Sequence, residues 1–204
     1  MAAELGPWAP LHPTELMEVM QRVTAPWWLA GGWALDYFLG GVTRQHGDTD
    51  ILVLRRDHAA VRDDLSQWDA HAADPPGSLR PWPVGELLPA HVHDVWLRER
   101  PAEPWAFQLM IDDADGDDWC FRRDPTIRRP VATLSGPASI QELPVLAPEI
   151  QLLYKSRGLR PKDQLDFEAV LPHLEHAGRE WLREALAATS PRHPWLEALG
   201  SRHR

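Results

Sequence analysis

Apolar residues at 16, 19, 20 and 23 recur with helical spacing and predict a helix over 13–23, stopped by Pro26. Residues 27–30, Trp-Trp-Leu-Ala, form an unbroken apolar run and predict a first strand. Gly31-Gly32 then turns the chain into a helix over 33–39, which closes at Gly40-Gly41. A polar loop over 42–49 leads into a β-branched strand over 50–55. Asp57 is placed to cap a helix reaching Trp68, with apolar positions at 59, 60, 61 and 65.

The middle of the chain has a weaker pattern. Asp74-Pro75-Pro76-Gly77 reads as a turn, and no periodicity stands out before Pro89. Alternation over 92–98 and an apolar run over 105–111 predict a hairpin across the turn at 99–104. Residues 112–118 carry five aspartates around Gly116 and read as an acidic turn, followed by a short strand over 119–123. After Pro148 only helical patterns remain. They cover 149–155, a segment opened by Pro161 with apolar positions 165, 167, 170 and 171, then 180–188, and a short last helix from Pro194. The outline is α/β (α+β): a mixed half over residues 1–140 and a helical half over residues 141–204.

Composition narrows the function classes. The 204 residues are 44% hydrophobic and carry a formal net charge of −9, which disfavours a broad basic face for nucleic acid. The single cysteine, Cys120, flanked by Trp119 and Phe121, reads as a small core residue and demands no oxidising compartment. There is no basic region followed by a long apolar run, and no stretch approaches the ~20 apolar residues a membrane span needs. The expectation is a cytoplasmic protein with no membrane partner. Twenty prolines punctuate loops and helix starts, and the eleven tryptophans are expected mostly in or near the core.

The chemistry concentrates at 31–50. Side chains at i and i+2 of a strand share a face, so Asp48 and Asp50 present two carboxylates side by side where the second strand begins. Like charges so close call for a cation between them or a proton on one. Mg²⁺ commonly bridges one or two carboxylates to substrate phosphates. Gly31 and Gly32 let backbone amides approach a phosphate at a helix start. Arg44 and His46 could contact phosphate, orient a carboxylate, or stand as plain loop residues. In the helical half, Lys155 lies at a helix end with Arg157, Arg160 and Lys162 nearby, and is the candidate phosphate contact from that side. Asp163 and Asp166 read as helix-start and surface residues. The run 112–118 lacks the twelfth-position glutamate of a calcium loop, since Arg123 stands there. The remaining histidines, His12, His58, His71, His91, His93, His173, His176, His193 and His203, are scattered and suggest no site.

The segments Gly31-Gly32-Trp33-Ala34-Leu35-Asp36 and Leu39-Gly40-Gly41-Val42-Thr43-Arg44-Gln45-His46-Gly47-Asp48-Thr49-Asp50-Ile51 resemble the core of the small antibiotic nucleotidyltransferases. These are the aminoglycoside 2″-adenylyltransferases and lincosamide nucleotidyltransferases of the polymerase-β-like superfamily. The likeness is dense over 28–54 and returns at 152–155 and 160–167. It implies a nucleotidyltransferase-fold mixed sheet with flanking helices and a C-terminal helical lobe closing a cleft. It further implies transfer of a nucleoside monophosphate, AMP from ATP or another NTP, to a hydroxyl of a small molecule such as an aminoglycoside- or lincosamide-like antibiotic. On that reading Gly31 and Gly32 hold the triphosphate and Asp48 and Asp50 ligate Mg²⁺; Arg44 and Lys155 are the further candidate phosphate contacts, read from the residues themselves.

One departure stands out. The family carries a third acid on a later strand, where this chain has Ala106 and Gln108, neither able to accept a proton at neutral pH. Glu103 in the preceding turn could reach in. Asp112 lies about 13 Å from Gln108 at ~3.3 Å per residue, and Asp94 on the partner strand is expected at that same far end. No base is assigned from sequence. Two other readings remain open: a nucleotide-binding protein of this fold with little transferase activity, and a toxin-type transferase that modifies a macromolecule.

Overall fold

The computed structural model describes residues 5–138 and 143–201. His203 and the expected boundary at 140/141 lie outside the described residues. Helix α1 (Pro13–Met20) opens with proline at its first position. His12 precedes it in a reciprocal cap: His12 Nδ1 accepts from the Thr14 amide at 3.3 Å, and Glu15 accepts from the His12 amide at 2.8 Å. Strand β1 (Trp27–Leu29) runs into helix α2 (Gly31–Leu39). Both glycines thus lie inside the first helical turn rather than ahead of it. Gly40, left-handed at φ 76°, ends α2 as expected.

Strand β2 (Asp50–Leu54) leads through one 3₁₀ turn into helix α3 (His58–Asp64). That helix stops well short of Trp68, because residues beyond it are recruited to the sheet as β3 (Asp69–Ala72), an element the periodicity did not reveal. A two-residue strand, β4 (Arg80–Pro81), pairs with β3. The predicted hairpin forms from β5 (Asp94–Arg98) and β6 (Phe107–Asp115).

The acidic run is a correction. Residues 112–115 continue β6, and Gly116-Asp117 alone make the turn into β7 (Asp118–Cys120), which pairs with β8 (Arg128–Pro130). Period-two alternation explains how strand tolerates this charge. Asp113 and Asp115 meet Arg55 and Arg128 at 2.5 and 2.6 Å. Asp112 turns inward, fully buried, and accepts from Trp119 Nε1 at 2.7 Å and from the Tyr154 hydroxyl. Burial pushes the Asp112 carboxyl up, opposed by those two bonds and the nearby Arg122 charge.

The main sheet runs β1-β2-β6-β5-β3-β4, with β2 and β6 parallel and the remaining pairs antiparallel. One face carries Ile51, Val53, Leu109 and Ile111 against Leu16 and Met20 of α1 and Val61 of α3. The other carries Leu52, Leu54 and Met110 against the C-terminal helices: α4 (Pro148–Lys155), α5 (Pro161–Val170), α6 (His176–Thr189) and α7 (Trp195–Gly200). Cys120 is buried and free. Among the described residues no helix is long and apolar enough to cross a membrane.

Helix α5 reverses its expected pattern. Leu165 is 61% exposed, while Asp163 and Asp166 are buried. Phe167 follows the apolar pattern and stacks on Trp195 of α7, ring centroids 4.1 Å apart and nearly parallel. Phe167→Ala is expected to cost about 3–5 kcal/mol. A urea titration should show a lower midpoint with an unchanged slope.

Candidate functional site

Asp50 is the first residue of β2, Asp48 lies in the loop just before it, and the Asp48 charge bears on Asp50. Thr49 between them points the other way, its hydroxyl donating to the Leu11 carbonyl at 2.7 Å. Asp50 starts β2 opposite Gln108 of β6. Its carboxylate lies directly against Gly31: a Cβ there would fall 2.1 Å from Asp50 Oδ2. Gly31 is also left-handed, at φ 68°. Side chain and backbone conformation therefore both demand glycine. Burial, then the Asp48 charge, pushes the Asp50 carboxyl up to about 7.

Gly32 is required for a different contact. A Cβ on it would lie 2.3 Å from His46 Nδ1 and 2.6 Å from an Arg44 terminal nitrogen. His46 is buried rather than a surface loop residue. Its Nε2 donates to Asp36 at 2.5 Å, and its ring packs on Trp33 at 4.5 Å. Asp36 also accepts from the Thr43 amide and hydroxyl at 3.1 and 2.6 Å. One carboxylate on α2 thus folds loop 42–49 back over the helix start. His46 Nδ1 is buried without a partner.

The amides at this helix start are not equivalent. Gly31 N–H is taken, donating to Gln151 Oε1 of α4 at 2.8 Å. Ala30, the cap residue, offers no side-chain acceptor. The Gly32 and Trp33 amides have no acceptor among the described residues, as expected in an uncapped first turn. The open anion-binding donors of this turn therefore begin at Gly32, not at Gly31.

Arg44 and Lys155 meet through the helical half. Arg44 grips Asp166 with two bonds, 2.9 and 3.0 Å, and Lys155 Nζ lies 2.8 Å from Asp166 and 3.7 Å from Asp163. Asp163 also takes a bidentate contact from Arg160, at 2.7 and 3.1 Å. Burial works to raise the Asp166 carboxyl, but the Arg44 and Lys155 bonds outweigh it and hold it below its ordinary value. The expectation of surface roles for Asp163 and Asp166 is therefore overturned: they are the buried counter-charges of the basic residues around the site. The Lys155 charge also bears on Asp50, favouring its ionised form.

The three candidate bases separate clearly. Glu103 is exposed and turned to Arg100 at 3.5 Å. Asp112 is enclosed behind Trp119 and Tyr154. Asp94 is not at the far end beside Asp112. It lies opposite Met110 and accepts from Gln108 Nε2 at 3.0 Å and Arg122 at 3.3 Å, both at Oδ1. Its Oδ2 has no partner among the described residues, and its charge adds to the repulsion felt by Asp50.

Sequence reasoning missed Gln151, Asp36 and Arg122. For Gln151 the reason is visible only in the structure: all eight residues of α4 are buried, so each polar residue in that helix needs a partner. Asp36 and Arg122 carried no sequence signal either, because their partners are distant in sequence or belong to an irregular loop.

Comparison with known proteins gives these features a context. A family model described as aminoglycoside-2″-adenylyltransferase matches residues 14–74. The lincosamide antibiotic adenylyltransferase LnuA, solved with lincomycin bound, aligns with a TM-score of 0.52 at 16% identity, covering 77% of this chain and 92% of its own. ANT(2″)-Ia, solved in complex with adenylyl-2″-tobramycin, aligns with a TM-score of 0.52 at 13% identity over 87% of this chain and 98% of its own. Its solution structure gives a TM-score of 0.53 at 16% identity, over 92% and 97%. No curated protein matches the chain. The resemblance read from the motifs is therefore borne out: over residues 14–74, which hold Gly31, Gly32, Arg44, Asp48 and Asp50, the chain resembles the aminoglycoside-2″-adenylyltransferase family, and over most of its length it has the nucleotidyltransferase fold of LnuA and ANT(2″)-Ia.

Proposed function

We propose that this chain transfers a nucleoside monophosphate, AMP from ATP, to a hydroxyl group of a small molecule. The observation that carries the reading is the Asp50 carboxylate seated against Gly31, beside Asp48, at the helix start whose Gly32 and Trp33 amides remain open. The match of residues 14–74 to the aminoglycoside-2″-adenylyltransferase model supports it.

The residues fit a divalent cation. Two carboxylates repel each other, one is pushed up to about 7, and a glycine leaves the space a Cβ would fill. Mg²⁺ keeps waters and takes substrate phosphate oxygens beside one or two carboxylates, so two carboxylates are a sufficient protein contribution. Asp48 and Asp50 would hold it, and when bound it would offset phosphate charge and polarise the reacting oxygens.

The rest falls to the chain itself. Gly32 and Trp33 N–H donate to phosphate oxygens at the positive end of α2. His46, held by Asp36 and packed on Trp33, keeps loop 42–49 against Gly32. Lys155 and Arg44, positioned by Asp166, supply positive charge, and Gln151 holds the turn in register. The acceptor oxygen attacks the α-phosphorus, the bond to the β-phosphate oxygen breaks, and pyrophosphate leaves. Asp94 Oδ2 takes the acceptor's proton, with Gln108 and Arg122 fixing Oδ1. Asp94 thereby does from β5 what Gln108 on β6 cannot.

Three outcomes test this. Asp48→Asn and Asp50→Asn should each lower pyrophosphate release from MgATP by about 10³-fold, equivalent to ~4 kcal/mol of lost transition-state stabilisation. Asp50→Asn should at the same time leave the melting temperature unchanged or higher, because a buried, repelled charge disappears. Asp94→Asn should reduce kcat by about 10²–10³-fold while calorimetry finds MgATP binding within two-fold of the parent. MgATP binding by the parent chain with no pyrophosphate release on any hydroxylated acceptor would favour a binding module. Label from ATP appearing on a macromolecule would favour the toxin-type reading.

A further inference from the structure

Beyond Asp94 lies an open cavity of about 820 Å³. Its wall is formed by the start of β5, the loop after β7, and the C-terminal ends of α4 and α6. Arg122, Arg123 and Arg157 line it with Asp94, His93 and His193. This is unusual in a chain of net charge −9.

The three guanidiniums are unevenly compensated. Arg122 pairs with Asp94 at 3.3 Å. Arg123 donates to the Tyr154 carbonyl at 2.9 Å, and neither it nor Arg157 has a carboxylate partner among the described residues. Asp124, also in the wall, is turned to Thr126. Burial, then the Arg122 and Arg157 charges, push Arg123 below its ordinary value, so the three cations crowd one another. Arg122 has its counter-ion in Asp94, which leaves Arg123 and Arg157 as the guanidiniums with no carboxylate partner among the described residues, a donor set suited to an anion.

The nucleotide's phosphates do not account for it. They belong at the start of β2 with Gly32 and Lys155. Asp94 stands two strands away across β6, roughly 10 Å at ~4.8 Å per strand, and the cavity opens from there. The acceptor's side of the reaction is the side Asp94 faces.

We propose that this cavity receives the acceptor, and that Arg123 and Arg157 select a hydroxyl compound bearing an anionic group, carboxylate or phosphate, rather than a polycation. The inference rests on the nucleotidyltransferase reading for its assignment of the cavity to the acceptor. The anionic group pairs with the arginines at the mouth, and the hydroxyl is left to approach Asp94.

Calorimetry on the full chain, without metal or nucleotide, tests the site independently of catalysis. Glucose 6-phosphate and glucuronate supply the phosphate and carboxylate forms, glucose the neutral control and tobramycin the polycation. At least one anion should bind ten-fold or more tightly than glucose. Arg123→Gln combined with Arg157→Gln should remove that preference while leaving MgATP binding within two-fold. Tobramycin binding tighter than both anions, or anion binding unmoved in the double variant, would overturn the proposal. So would a loss of MgATP binding in the double variant, which would give the arginines to the nucleotide. If the parent chain fails to bind MgATP at all, the transferase reading fails instead, and the anion preference still reads on its own scale.

Discussion

The structure depends on a carboxylate set against a bare backbone. Asp50 reaches Gly31 so closely that no other residue fits there, and the Asp48 charge adds repulsion that Lys155 only partly offsets. Each feature alone is ordinary. Together they cost free energy, since burial and repulsion both disfavour the ionised form. A cation and a polyanion bound at that spot would reverse the sign of the same terms. The helix, the loop and the opposing α4 all converge on it.

Around that point, the other acids serve a different end. Asp36 bonds Thr43 and His46 and so closes the loop that delivers Asp48. Asp166 holds Arg44 from the sheet half and Lys155 from the helical half on one carboxylate. Asp112 ties β6 to β7 and α4 through Trp119 and Tyr154. A buried acid with its donors in place specifies geometry, and removing one partner would strand the other's charge at a cost of about 3–5 kcal/mol. The contrast sorts the carboxylates: Asp36, Asp112 and Asp166 have protein donors that fix the cleft, whereas Asp48 and Asp50 have none among the described residues.

The cleft is asymmetric in charge. On the β2 side, positive residues are matched by Asp163 and Asp166. Past Asp94, Arg123 and Arg157 have no carboxylate partner among the described residues. The fold is that of LnuA and ANT(2″)-Ia, and a shared architecture does not fix what a site accepts, since function resides in the site.

Local pattern alone determined much of this protein. Strand period placed Asp48 and Asp50 on one face, glycine pairs marked the start and end of α2, and alternation found the β5–β6 hairpin. These features depend on neighbours within a few residues, so they are legible in one dimension. What failed was whatever depended on distant partners. The run 112–118 reads as a loop by composition, yet it is strand because Arg55, Arg128, Trp119 and Tyr154 receive its charges. Asp163 and Asp166 look solvated until Arg44, far back in the chain, and Lys155 on the preceding helix are brought to them, and Leu165 is turned out to make room. Asp94 approaches the site because antiparallel pairing sets it opposite Met110, with Gln108 reaching across. The free energy of a buried charge is set by who surrounds it, and only the folded chain supplies that company.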